Sequence, residues 1–139
     1  MKLALTIFLF AAAATLLAHP AAAQLIIANP SVKASDVSKA DVRDIFSGAA
    51  SNLKDGSHVT PILLKAGTTN DAFLDLYIGK SDAAFRASWR SLVFSGQATM
   101  PRSFESEAAV VEYVAHTPGA IAYIAKTTPH EGVKILAGK

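Results

Sequence analysis

The sequence predicts an α/β fold, a three-layer sandwich with a mainly parallel sheet. Three observations predict it. Short β-branched and aliphatic runs alternate with segments of helical period, in the order strand, helix, strand, three helices, strand, strand. Capping residues and Gly/Pro turns separate them, without a long polar tract or an internal repeat. The chain behind an N-terminal leader is the size of one domain, and it has no cysteine, so a packed core must hold it.

The leader comes first. Lys2 precedes an apolar run from Leu3 to Ala18, and the small residues Ala21, Ala22 and Ala23 follow. This is the pattern of a secretory signal peptide over residues 1–23, with cleavage before Gln24. The apolar run is shorter than the ~20 residues a spanning helix needs, so no stable membrane insertion is expected after cleavage. Removing 23 of 139 residues leaves 116, expected to form a single domain, 24–139, in the periplasm or outside the cell. Only Lys2 of the 13 basic residues is lost, leaving 12 against 11 acidic ones and a formal charge of +1. The basic residues lie singly, with no clustered stripe, which argues against a nucleic-acid partner.

Leu25-Ile26-Ile27-Ala28 is a first strand, ended by Asn29-Pro30 because proline disfavours helix in the residue before it. Ser38 and Asp41 have capping-box spacing and open a helix. Its Val42, Ile45 and Phe46 share one face, and Gly48 lies just past its end. Asp55-Gly56 marks a loop. Val59 to Leu64 then forms a second strand in which Pro61 demands an edge, a bulge or a later start.

A second helix spans Asn70 to Ile78 and stops at Gly79. Ser81-Asp82 caps a third with Phe85, Trp89, Leu92 and Val93 on one side. Gln97 to Arg102 reads as a connector, and Ser103 or Ser106 begins a fourth helix with Val110, Tyr113 and Val114 inward. Ala120–Ala125 and Val133–Ala137 complete the sheet as two short apolar strands.

Chemistry-bearing motifs are few. His58, His116 and His130 are far apart and none has metal-ligand spacing, so no metal is expected. There is no nucleophile elbow, P-loop or dinucleotide fingerprint, so neither a catalytic residue nor a cofactor is assigned, and the chain is not expected to be an enzyme. The stretch from Lys65 to Asn70 remains. It lies where strand period gives way to helix period, at the carboxyl end of a strand, where helix N-terminal amides can face an anion. Lys65 supplies charge, Gly67 permits close backbone approach, and Thr68, Thr69 and Asn70 offer hydroxyl, amide and backbone donors for a small oxyanion. A plainer reading stands beside it: Thr68 is the N-cap of the second helix, with Asp71 completing a capping box.

Several segments, in order, resemble a known family. They are Ile26-Ile27-Ala28-Asn29-Pro30, Ser38 to Gly48, Asp55-Gly56-Ser57, Phe85 to Gly96 followed by Pro101, and Thr117-Pro118-Gly119-Ala120-Ile121-Ala122-Tyr123. Together they resemble the phosphate substrate-binding proteins of ABC transporters, in particular short secreted phosphate-binding-like proteins. The resemblance implies one lobe of a type 2 periplasmic binding protein. It also implies a solute-binding role in uptake or sensing, with phosphate or another small oxyanion at Lys65, Gly67, Thr68, Thr69 and Asn70. An ABC permease, or a second lobe supplied in trans, would be the partner. Lys65 stands where the family has arginine, its Gly-Ser-Gly-Thr run is absent, Ala122 replaces a glycine, and no tryptophan lies near Asn52-Leu53. The alternative is a cell-envelope interaction or self-associating module that keeps the lobe as a scaffold. An apolar patch beside the turn would favour it.

Overall fold

The structure, a computed structural model, describes residues 24–138. Residues 1–23, read from the sequence as a signal peptide, lie outside the described residues. The elements are β1 (Gln24–Ala28), α1 (Lys39–Phe46), β2 (Thr60–Leu64), α2 (Thr68–Phe73), which runs on as a π-helical turn over Leu74–Ile78, and α3 (Asp82–Phe94). They continue as β3 (Arg102–Phe104), α4 (Glu107–His116), β4 (Ala120–Ala125) and β5 (Lys134–Ala137).

The five strands form one sheet in the order β3-β2-β4-β1-β5. β2 runs parallel to β3 and to β4, while β1 is antiparallel to both β4 and β5, so β1 alone opposes the common direction. Every residue of β1 is buried, and so are Ala120 to Ile124 of β4. Successive strand side chains point to opposite faces, so both faces must be covered. Tyr123 of β4 stacks on Phe73 of α2 with ring centroids 3.8 Å apart and meets Phe46 of α1 edge-on at 5.6 Å. That places α1 and α2 on one face; α4 packs on β4, β2, β1 and β3 and supplies the third layer.

Local chemistry sets the element boundaries. Ser38 Oγ accepts from the Asp41 amide at 3.1 Å, and the Asp41 carboxylate accepts from the Ser38 amide at 3.3 Å, which is the reciprocal cap read from the sequence. α1 is capped at Ser47 and followed by Gly48, whose φ of 78° is the left-handed conformation that favours glycine. A Cβ there would lie 2.7 Å from Leu92 Cδ1 and 3.0 Å from the Trp89 ring. Trp89 is buried and its indole N–H donates to Phe46 O at 2.9 Å, satisfying a carbonyl in the last turn of α1.

Pro61 sits inside β2, which is an interior strand. In a parallel ladder, Thr60 turns its amide to the β4 side, donating to Gly119 O at 2.8 Å, so Pro61 faces the β3 side. β3 pairs with β2 only from Ile62 onward, so the missing N–H falls where there is no strand to receive it.

Two boundaries differ from expectation, and a third is decided between the two readings the sequence allowed. β3 lies in a segment read as a connector and helix start, because it is only three residues long and is a strand solely through its pairing with Ile62, Leu63 and Leu64. The fourth helix is capped by Ser106, whose side chain accepts from the Ala109 amide at 3.1 Å; Ser103 is in β3. The second helix starts at Thr68, earlier than Asn70, and its N-cap is Gly67 with no side-chain cap bond, so Thr68 is not the cap and makes no capping box with Asp71.

Candidate functional site

The turn between β2 and α2 is fixed from below by a closed polar ring. Beyond Pro61 the β2–β4 pairing ends, and the Leu64 amide donates instead to the Tyr123 hydroxyl at 3.0 Å. That hydroxyl donates to Asn70 Oδ1 at 2.5 Å, and Asn70 Nδ2 donates to Asp82 Oδ1 at 2.8 Å. Arg86 Nε pairs with both Asp82 oxygens at 3.1 and 3.0 Å. Its Nη2 returns to the start, donating to Leu64 O at 2.8 Å and Lys65 O at 2.9 Å. Each polar group of this ring inside the core therefore has a partner. Burial holds the Tyr123 phenol far above its ordinary range, so it stays protonated and available as a donor.

The ring also aims the turn. A trans peptide sets N–H opposite C=O, so the two carbonyls drawn to Arg86 turn the following amides away from it. The Lys65 amide meets Phe104 O of β3 at 2.9 Å. The Ala66 amide faces the opposite side from Arg86. Gly67 then takes φ 111° and ψ 175°, a conformation open in practice only to glycine. Among the described residues, the N–H groups of Thr68, Thr69 and Asn70 make no hydrogen bond, as expected for the first turn of an uncapped helix. A hollow of about 270 Å³ opens beside the first two of these residues, lined in part by Ala66, Gly67, Thr68, Thr69, Glu105 and Glu107.

The five sequence-predicted site residues lie on this one turn in different conditions. Lys65 is exposed and its ammonium lies 3.5 Å from Glu105, an ion pair open to water and of little strength. Gly67 and Thr68 are exposed, while Thr69 is buried with its hydroxyl donating to Glu107 Oε2 at 3.2 Å. Asn70 is fully buried, both ends of its side-chain amide are engaged in the ring, and it is not in the wall of the hollow.

Sequence reasoning missed Arg86, Asp82, Glu105 and Glu107. Their partners are brought near by the fold: Asn70 and Asp82 are 12 positions apart, Thr69 and Glu107 are 38 apart. The only local signal was Asp82 and Arg86 at i, i+4 spacing.

His58, His116 and His130 take no part in this turn. His58 is bonded to Asn52, His116 to Glu112 O in its own helix, and His130 to Thr128 O. Among the described residues there is no cluster of metal-ligating side chains and no helix long and apolar enough to cross a membrane. Among the described residues, four large apolar side chains are exposed, Leu76, Val93, Phe94 and Met100, and none of them lines the hollow.

The fold is similar to part of the fold of solved phosphate-binding proteins of ABC transporters. No family model matches the chain, and no curated protein matches it either. Solved structures do. A Clostridium perfringens protein assigned to the phosphate ABC transporter substrate-binding proteins, solved with phosphate bound, superposes with a TM-score of 0.63 at 17% identity over 82% of this chain and 44% of its own. PstS from Borrelia burgdorferi gives 0.61 at 19% identity, covering 83% of this chain and 46% of its own. An ABC-type phosphate transport receptor from Vibrio cholerae gives 0.55 at 13%, covering 82% and 45%. The chain thus spans less than half the length of the structures it matches.

Proposed function

We propose that the chain is a secreted or periplasmic, non-enzymatic solute-binding domain that holds phosphate or another small oxyanion at the turn after β2. It would act in ABC-type uptake or sensing. The observation that carries this reading is the pair of unpaired amides of Thr68 and Thr69, on residues that line a hollow at the carboxyl end of an interior strand, just past Lys65. Such an arrangement presents N–H donors and a partial positive charge to an anion. Lys65 adds a full charge, and it can leave its exposed partner Glu105 at little cost. The likeness to a structure solved with phosphate bound supports the choice of ligand.

Each site residue has a distinct role. Lys65 neutralises the guest, Gly67 lets it approach the backbone, Thr68 and Thr69 donate from amide and hydroxyl, and Asn70 locks the turn through its side chain. An ABC permease or a second lobe in trans would meet the domain at this same edge. The test is calorimetric titration of the purified protein with phosphate and with sulfate. Saturable heat that Lys65→Ala and Thr69→Val each reduce is the expected result, and heat unchanged in both variants would refute the assignment.

A further inference from the structure

Glu107 is the first residue of α4, yet its side chain turns back over the carboxyl edge of the sheet. Its Oε1 accepts from the Ala125 amide at 2.5 Å and from Thr128 Oγ1 at 2.9 Å. Its Oε2 accepts from Thr69 Oγ1 at 3.2 Å. One carboxylate therefore joins the start of α4, the end of β4, the turn after β4 and the first turn of α2. It also forms part of the wall of the hollow beside Gly67 and Thr68.

We propose that Glu107 is a tethered anion that occupies the turn in place of a free one and sets how strongly the turn binds a guest. The inference rests on the reading of that turn as an oxyanion seat. A threonine hydroxyl has one proton, and in Thr69 that proton is already directed at Glu107, so an entering oxyanion must displace the carboxylate to receive it. The bond to Thr69 is the longest of the three, and its loss leaves Glu107 anchored by Ala125 and Thr128. Like charge adds to the competition. A carboxylate in the wall repels an ionised guest across a few ångströms of partly dehydrated space. The second wall carboxylate, Glu105, is solvated and faces Lys65, so it does not engage the turn's donors.

Phosphate titrations of wild type, Glu107→Gln and Glu112→Gln test this. Glu112 is exposed on the same helix and away from the hollow, so its variant makes the same charge change elsewhere. Removing the tethered charge should tighten phosphate binding at least about tenfold in Glu107→Gln, with Glu112→Gln matching wild type. If Glu107→Gln binds no tighter than a wild type that does bind, the tethered-anion role fails and the seat survives. If neither protein binds phosphate at about 100 mM, the seat itself fails, and the inference with it. Should Glu107→Gln not fold, the wild type still decides. Phosphate must then shift the Glu107 carboxyl-carbon resonance well beyond that of Glu112, and no shift at saturation overturns the proposal.

Discussion

Tyr123 shows how much can hang on one hydroxyl. It accepts from the Leu64 amide where the β2–β4 ladder has ended and donates to Asn70, while its ring stacks on Phe73. Tyr123→Phe keeps the stack and orphans both partners, which should lower stability by about 1–3 kcal/mol in chemical denaturation. The same residue gives a pH dependence. Burial raises the phenol pKa of Tyr123 and of Tyr77 in the folded state, so the native protein holds those protons more tightly than the unfolded chain. Stability is then complete below about pH 10 and falls as pH rises above it. Denaturation curves between neutral and strongly alkaline pH should show that loss, and show less of it in Tyr123→Phe. At the opposite extreme Phe94 is 96% exposed, and Phe94→Ser should change stability by less than about 0.5 kcal/mol.

At the scale of elements, the turn after β2 is held by α3 through Arg86, which grips two consecutive carbonyls while Asp82 fixes its guanidinium. Lysine cannot reproduce that fork. Arg86→Lys should leave the sheet intact, cost about 1–3 kcal/mol, and speed amide hydrogen exchange at Ala66 to Asn70 ahead of the rest of the chain. Helix α1 offers a second test. Gly48→Ala combines a left-handed backbone with a clash against Leu92 and Trp89, and a loss of about 1–3 kcal/mol is expected by thermal or chemical unfolding.

Most elements were legible because local chemistry specifies them. The Ser38 cap, the aliphatic run of β2 and the Gly79 stop need no distant partner. β3 was not legible, since Arg102-Ser103-Phe104 is a strand only against β2. Of the site, the turn itself could be read from Lys65 to Asn70. The ring beneath it and the Glu107 carboxylate could not, because they join residues that only the tertiary fold brings together.

On the scale of the molecule, one sheet covered on both faces presents a chemically distinctive edge, the carboxyl ends of β2 and β4. Everything that shapes that edge converges on the turn. β3 takes the Lys65 amide, β4 contributes Tyr123 and the Ala125 amide, α3 contributes Arg86, and α4 contributes Glu107. The central claim is that this edge seats a small oxyanion. The measurement that tests it most directly is a phosphate titration followed by the backbone amide resonances of the whole chain. The account predicts saturable shifts concentrated at Ala66 to Asn70, with affinity reduced at least about fivefold in Lys65→Ala. Shifts scattered over the surface without saturation, or saturable shifts centred elsewhere, would contradict it.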